Sequence, residues 1–268
     1  MSMTDEEVLR EAAMLDEAEQ SHSQIRQTST VYPEMTLDDA YRIQDAWRDQ
    51  KLARGKQIVG HKIGLTSRAM QAAMKIETPD SGFLTSDMVF NPNTVLPASR
   101  FRDPKLEIEL AFSLKHDLSG DALTVDDVLD ATEFVVPAVE LIAARSFRTD
   151  PQTGRTRTVV DTISDNAANA GIICGGERVG PREVDLRWIG ALGYRNGTIE
   201  ETGVAAGVLD HPARGLIWLC ERYAGLGHGL LAGQIVLAGS FTRPIDVRSG
   251  DEFRFDYGPL GNFAVSFA

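Results

Sequence analysis

The chain has 268 residues, 43% hydrophobic and 25% charged, an ordinary globular composition that excludes disorder as its main state. A chain this long can bury a large core, so it needs neither disulfides nor a metal merely to fold. Twenty-seven basic against 39 acidic residues give a net charge of −12, which argues against nucleic acid or an anionic membrane as partner.

The N-terminal stretch 4–25 carries Val8, Leu9, Ala12, Leu15 and Ala18 at helical spacing, with Thr4 as a cap. A second helix follows Tyr32-Pro33, capped by Thr36, with Asp38 and Asp39 in its first turn and Lys51 and Arg54 before Gly55. These acidic, amphipathic segments lack the basic start of a signal peptide, and no apolar run of about 18 residues follows. Two cysteines, Cys174 and Cys220, make neither a disulfide framework nor a metal motif. The expectation is a cytoplasmic protein with no membrane span and a helical N-terminal arm over 1–55.

From 56 to 268 the pattern changes to one α+β catalytic domain. Strands are expected at 58–65, 82–90, 105–115 and 134–142, with short helices near 67–74 and 124–131. Strands at 189–194 and 198–202 flank Asn196-Gly197, a two-residue hairpin turn. A helix over 212–223 precedes strands at 234–239, 252–257 and 262–267.

Lys105-Leu106-Glu107-Ile108-Glu109-Leu110 is the most informative segment. Side chains alternate along a strand, so Glu107 and Glu109 share one face, about 7 Å apart, while the leucines and Ile108 share the other. A solvated edge face is the plain reading of such a pair. Glu140, set in the apolar run 134–142, weighs against it because a buried carboxylate needs a partner. Three carboxylates without cysteine or histidine suit a hard divalent ion, Mg²⁺ or Mn²⁺.

Lys62 lies among Ile58, Val59, Ile63 and Leu65, where desolvation would lower its amine toward a range useful for proton transfer; a snorkelling surface lysine is the alternative. Asp80, after Thr78-Pro79, is either a turn residue or an acid facing the site. Asp161-Thr162-Ile163-Ser164-Asp165-Asn166-Ala167-Ala168-Asn169 reads as a polar turn able to hold supporting hydrogen bonds. Gly239-Ser240-Phe241-Thr242 is either a strand-ending turn or a carboxylate grip. Of the five histidines only His61, beside Lys62, is placed near the site. Gly225-Leu226-Gly227-His228-Gly229 follows a helix and lacks a dinucleotide fingerprint, and no Gly-x-Ser-x-Gly elbow is present.

Taken in order, Gly60-His61-Lys62-Ile63-Gly64-Leu65-Thr66-Ser67, Pro79-Asp80-x-Gly82, Glu107-x-Glu109, Pro137-Ala138-Val139-Glu140, Asp161-Thr162-Ile163-Ser164-Asp165-Asn166-Ala167 and Gly239-Ser240-Phe241-Thr242 resemble the hydratase/decarboxylase branch of the fumarylacetoacetate hydrolase superfamily. The resemblance spans nearly the whole chain. It implies a mixed β-roll core, a Mg²⁺ or Mn²⁺ site at Glu107, Glu109 and Glu140, and catalytic roles for Lys62 and Asp80. His61, Leu65, Ser164, Asn166, Ser240, Thr242 and Arg145 are the expected substrate contacts. Stretches 199–209 and 240–244 resemble members that hydrate a seven-carbon 2-hydroxy-2,4-dienedioate. Its second carboxylate calls for a cation, and Arg145, Arg148, Arg155, Arg157 and Arg243 are available, with the 145–157 segment favoured. A homo-oligomer, pentamer or decamer, is also implied. A metal-dependent 2-oxo-3-enedioate decarboxylase and a catalytically silent dicarboxylate-binding subunit are the competing readings.

Overall fold

The computed structural model describes residues 2–67, 71–72 and 76–268. Helix α1 (Asp5–Ser21) starts on a reciprocal cap in which Thr4 Oγ1 accepts from the Glu7 N–H and the Glu7 carboxylate accepts from the Thr4 N–H. It stops at Ser21, short of the expected 25, because His22 turns left-handed and its N–H closes on Ala18 and Glu19 carbonyls. A single turn, α2 (Thr28–Val31), leads to α3 (Leu37–Ala53), capped by Thr36 and Asp39. Ala12 and Leu15 of α1 and Ile43 and Trp47 of α3 bury their apolar faces in one cluster with Phe83 and Ile163.

The remaining chain forms β1 (Ile58–Gly64), β2 (Asp80–Thr85), β3 (Val89–Phe90), β4 (Thr94–Leu96), β5 (Lys105–Leu114), α4 (Val125–Ala131) and β6 (Thr132–Ile142). Then come α5 (Val159–Ser164), β7 (Asn169–Cys174), β8 (Gly190–Arg195), β9 (Thr198–Val204), α6 (Ala213–Ala224), β10 (Ile235–Leu237), β11 (Ile245–Asp246), β12 (Glu252–Asp256) and β13 (Asn262–Phe267). Among the described residues, one eight-stranded sheet runs β2-β1-β10-β5-β6-β7-β3 with β11 on β5, and a five-stranded sheet runs β4-β13-β12-β8-β9. Pairs β1/β10, β3/β7 and β4/β13 are parallel, the rest antiparallel, so the α+β mixed β-roll with helices at its N-terminal side is the fold.

The alternation of β5 sets the layers. Leu106, Ile108, Leu110, Phe112 and Leu114 face a core shared with Phe253, Phe255 and Val265 of the five-stranded sheet. The opposite face offers Glu107, Glu109 and Ala111 to the same side as Ala138 and Leu237. Asn196 and Gly197 both take positive φ, at 52° and 81°, as a hairpin turn of that length requires.

Two expectations need correction. The strand expected at 82–90 begins earlier, at Asp80, and breaks after Thr85 into a 3₁₀ turn (Ser86–Met88) before β3. The polar turn read at 161–169 is the end of helix α5, then three residues in left-handed conformation, Asn166, Ala167 and Ala168, then the start of β7. Of the short helix expected at 67–74, residues 68–70 and 73–74 lie outside the described residues.

Candidate active site

Register brings the acids together. Glu107 of β5 stands directly opposite Glu140 of β6, and Glu109 is opposite Ala138, diagonal to Glu140. One carboxylate oxygen from each of the three lies within 4.8 Å of the others. Glu109 and Glu140 are fully buried, whereas Glu107 is half-buried and opens on a cavity of about 370 Å³.

On the neighbouring strands Lys62 pairs with Gly82 and Gly64 with Asp80, which makes Lys62 and Asp80 diagonal neighbours. Gly64 leaves them room: a Cβ there would fall 2.3 Å from Asp80 Oδ1 and 2.8 Å from Lys62 Nζ. Lys62 Nζ lies 3.8 Å from Asp80 Oδ1 and 3.6 Å from Glu140 Oε1, so the ammonium bridges the two acids.

Backbone and amide donors fix the acids' orientation. Glu140 Oε1 accepts from Asn169 Nδ2 at 2.7 Å, and Glu109 Oε2 accepts from the Gly239 N–H at 2.8 Å. The Tyr257 hydroxyl donates to the Glu109 and Ala138 carbonyls, tying the five-stranded sheet to the two acid strands. Gly239 sits at φ 114°, and a Cβ there would meet the Thr66 hydroxyl at 2.3 Å. Gly239→Ala is therefore expected to misplace Glu109 and weaken divalent-ion binding by about 10- to 100-fold, as read by metal titration of the folded variant.

Glu109 Oε1 and Glu140 Oε2 are buried without any hydrogen-bond partner. Burial and then the charge of Glu140 push Glu107 up to about 7 and raise Glu109 well above the usual range. Glu140 and Asp80 are also raised, chiefly by burial. Orphaned buried oxygens on mutually repelling carboxylates, with no sulfur or imidazole beside them, fit a hard divalent cation. The expectation that desolvation lowers the Lys62 amine is corrected. Burial acts that way, but Glu140, Asp80, Glu107 and Glu109 outweigh it and hold the side chain as ammonium.

The other expected contacts divide. Leu65, Ser240 and Thr242 line the cavity with Lys62, Asp80 and Glu107. Asp80 is a buried strand residue, not a turn. Ser164 and Asn166 are spent on backbone: Ser164 Oγ donates to Val160 O at 2.8 Å, and the Asn166 amide pairs with both Phe83 backbone groups, at 2.9 and 3.0 Å. Ala167, Ala168 and Thr162 reach the cavity instead. Arg145 does not line it. Its Nε and Nη2 grip Asp165 at 2.6 and 2.7 Å, and its guanidinium lies over the Trp47 ring. Arg148 and Arg157, from the same segment, are the arginines in the wall. Asn169 carried only the general signal of a polar cluster, and Tyr257 carried none.

His61 is on the other side of β1, sharing a 3.0 Å hydrogen bond with Tyr223 of α6, and is not a substrate contact. Burial, then Arg48, depresses it from 6.5 to about 4. As pH falls below 6.5 the unfolded chain takes up a proton here that the folded chain refuses until about 4, so the stability present above 6.5 is lost across that window. The pH dependence of the unfolding free energy from urea titration over this range is expected to flatten in His61→Gln by up to about 1.4 kcal/mol per pH unit. An unaltered slope would count against a buried neutral imidazole.

No protein-family model matches the chain. It is 54% identical over 256 residues to 2-oxo-hept-4-ene-1,7-dioate hydratase of Escherichia coli, covering 96% of each chain. It is 33% identical to 2-keto-4-pentenoate hydratase of Paraburkholderia xenovorans, over 99% of this chain and 96% of that one. Among solved structures, 4-oxalocrotonate decarboxylase from Pseudomonas putida G7, complexed with magnesium and adipate, superposes with a TM-score of 0.93 at 35% identity over 99% of both chains. With these relatives and this arrangement of strands and acids, the chain belongs to the hydratase/decarboxylase branch of the fumarylacetoacetate hydrolase superfamily.

Proposed function

We propose that the chain adds water to 2-oxo-hept-4-ene-1,7-dioate, giving 4-hydroxy-2-oxoheptane-1,7-dioate, with Mg²⁺ or Mn²⁺ held by Glu107, Glu109 and Glu140. The observation that carries this reading is the cluster of those acids, of which Glu107 opens with Lys62 and Asp80 on one cavity, in a chain just over half identical to a hydratase of that name. A bound divalent ion supplies a Lewis acid for the substrate's 1-carboxylate and 2-oxygen. The protein's own residues handle protons and water. Lys62 donates a proton to C5 of the 2-hydroxy-2,4-dienedioate, and the proton that the 2-hydroxyl releases in forming the ketone returns to the Lys62 amine. Asp80, whose buried Oδ1 has no hydrogen-bond partner, orients the water that adds at C4, and C3 takes the remaining proton. Leu65 narrows the cavity, and Ser240 and Thr242 offer hydroxyls to the substrate's polar groups.

The helical segment 1–55 and the catalytic segment 56–268 are kept as the functional division. A homo-oligomer, pentamer or decamer, belongs to the same reading. Among the described residues no helix is long and apolar enough to cross a membrane.

The test is mass spectrometry of 2-hydroxyhepta-2,4-dienedioate incubated with Mg²⁺-loaded and chelator-stripped protein. Gain of one water only with metal supports the hydratase. Loss of carbon dioxide would transfer the protein to the decarboxylase reading, and binding without turnover to the silent subunit.

A further inference from the structure

The cavity wall holds more buried positive charge than the fold itself uses. The Arg157 side chain is 7% exposed, and its one ion pair among the described residues is a loose 3.4 Å approach to Asp165 Oδ2. That carboxylate is already occupied by Arg145 Nε at 2.6 Å and by the Arg145 and Ser146 N–H groups at 2.9 and 3.2 Å. The Nε of Arg148 is buried with no hydrogen-bond partner, and its Nη2 donates only to the Asp103 carbonyl, at 3.2 Å. Lys105, another cation in the wall, is satisfied by Asp246 at 2.5 Å. Neither Arg148 nor Arg157 forms an ion pair with Glu107 or Asp80 across the same cavity. Burial and the repulsion of Arg148 and Arg145 outweigh Asp165 and pull Arg157 down to about 10, the direction of a guanidinium short of an anion.

The structure assigns Arg148 and Arg157 the binding of the distal carboxylate of a dicarboxylate substrate, a role that rests on the hydratase reading for the identity of that substrate. A forked guanidinium matches a carboxylate geometrically, and a buried one left unpaired by a monoacid penalises that competitor. These two side chains would then separate a dienedioate from the shorter monoacids, while the acid triad treats both alike.

The test is calorimetric titration of the full chain, with Mg²⁺ present, using adipate and hexanoate, which differ only in the second carboxylate. Wild type is expected to bind adipate at least about tenfold more tightly than hexanoate. Arg148→Gln and Arg157→Gln should each remove most of that preference and change hexanoate affinity less than about threefold. No preference in wild type, full preference in both variants, or equal loss of both ligands would overturn the assignment. If Arg157→Gln melts early because Asp165 is disturbed, Arg157→Lys keeps the charge without the fork and should retain only part of the preference; full retention overturns the bidentate grip. Wild type that prefers adipate yet leaves the dienedioate unchanged sinks the hydratase reading while leaving the clamp intact.

Discussion

Glu109→Gln is expected to cut turnover about 10³-fold or more, because it removes one of the three carboxylates proposed to hold the metal and leaves an amide facing the other two acids. The same substitution should stabilise the metal-stripped protein at alkaline pH. In the folded chain burial and Glu140 raise Glu107 from 4.5 to about 7, and the same causes raise Glu109 well above its usual range. A group raised in this way favours folding at pH below its unfolded value and loses that contribution as pH climbs through the folded one. Stripped wild type should therefore become less stable from about pH 4.5 through 7 and beyond, a fall that bound metal reverses by mass action. Removing one of three like charges shallows the fall, and each kcal/mol recovered raises the melting temperature by about 2–4 °C in a chain of this size. Melting curves across pH with and without chelator give the answer. Identical stripped profiles for wild type and variant would mean that the three carboxylates do not repel one another in the folded protein.

The second large effect belongs to Lys62. Lys62→Met should lower kcat by about 10²- to 10⁴-fold, the range for a positioned proton donor, with divalent-ion binding preserved. It also takes the cation from between Asp80 and Glu140, 3.8 and 3.6 Å away, so the stripped variant should melt below wild type. Turnover within about threefold of wild type, in a variant that folds and takes up metal normally, would remove the lysine from the chemistry.

Much of this site was legible because strand geometry has a fixed period. Alternation placed Glu107 and Glu109 on one face before any tertiary contact was known, and the apolar setting of Glu140 required a partner for it. The same rule, applied to β1, puts His61 opposite Lys62, so assigning both to the site contradicted the reasoning used for the glutamates. Arg145, Ser164 and Asn166 failed for another reason. They sit where the chain leaves regular structure, and there a side chain's direction follows from distant partners: Asp165 for Arg145, the Phe83 backbone for Asn166. Strands of two or three residues, such as β4 and β11, exist through pairing with β13 and β5 and carry little local signal.

Gln44 gives the N-terminal helices a hold on the cavity wall that their sequence does not announce. From α3 its buried Nε2 donates to the carbonyls of Ser81 and Ile163, both at 2.9 Å. Ser81 adjoins Asp80, and Ile163 belongs to the helix whose following left-handed turn reaches the cavity wall. A chain cut to begin at 56 would leave these two carbonyls without their donor and uncover Phe83, so the arm cannot be shed as an appendage. Leu9 on the outward face of α1 is exposed, whereas Gln44 is tied to the strand that presents Asp80 to the cavity.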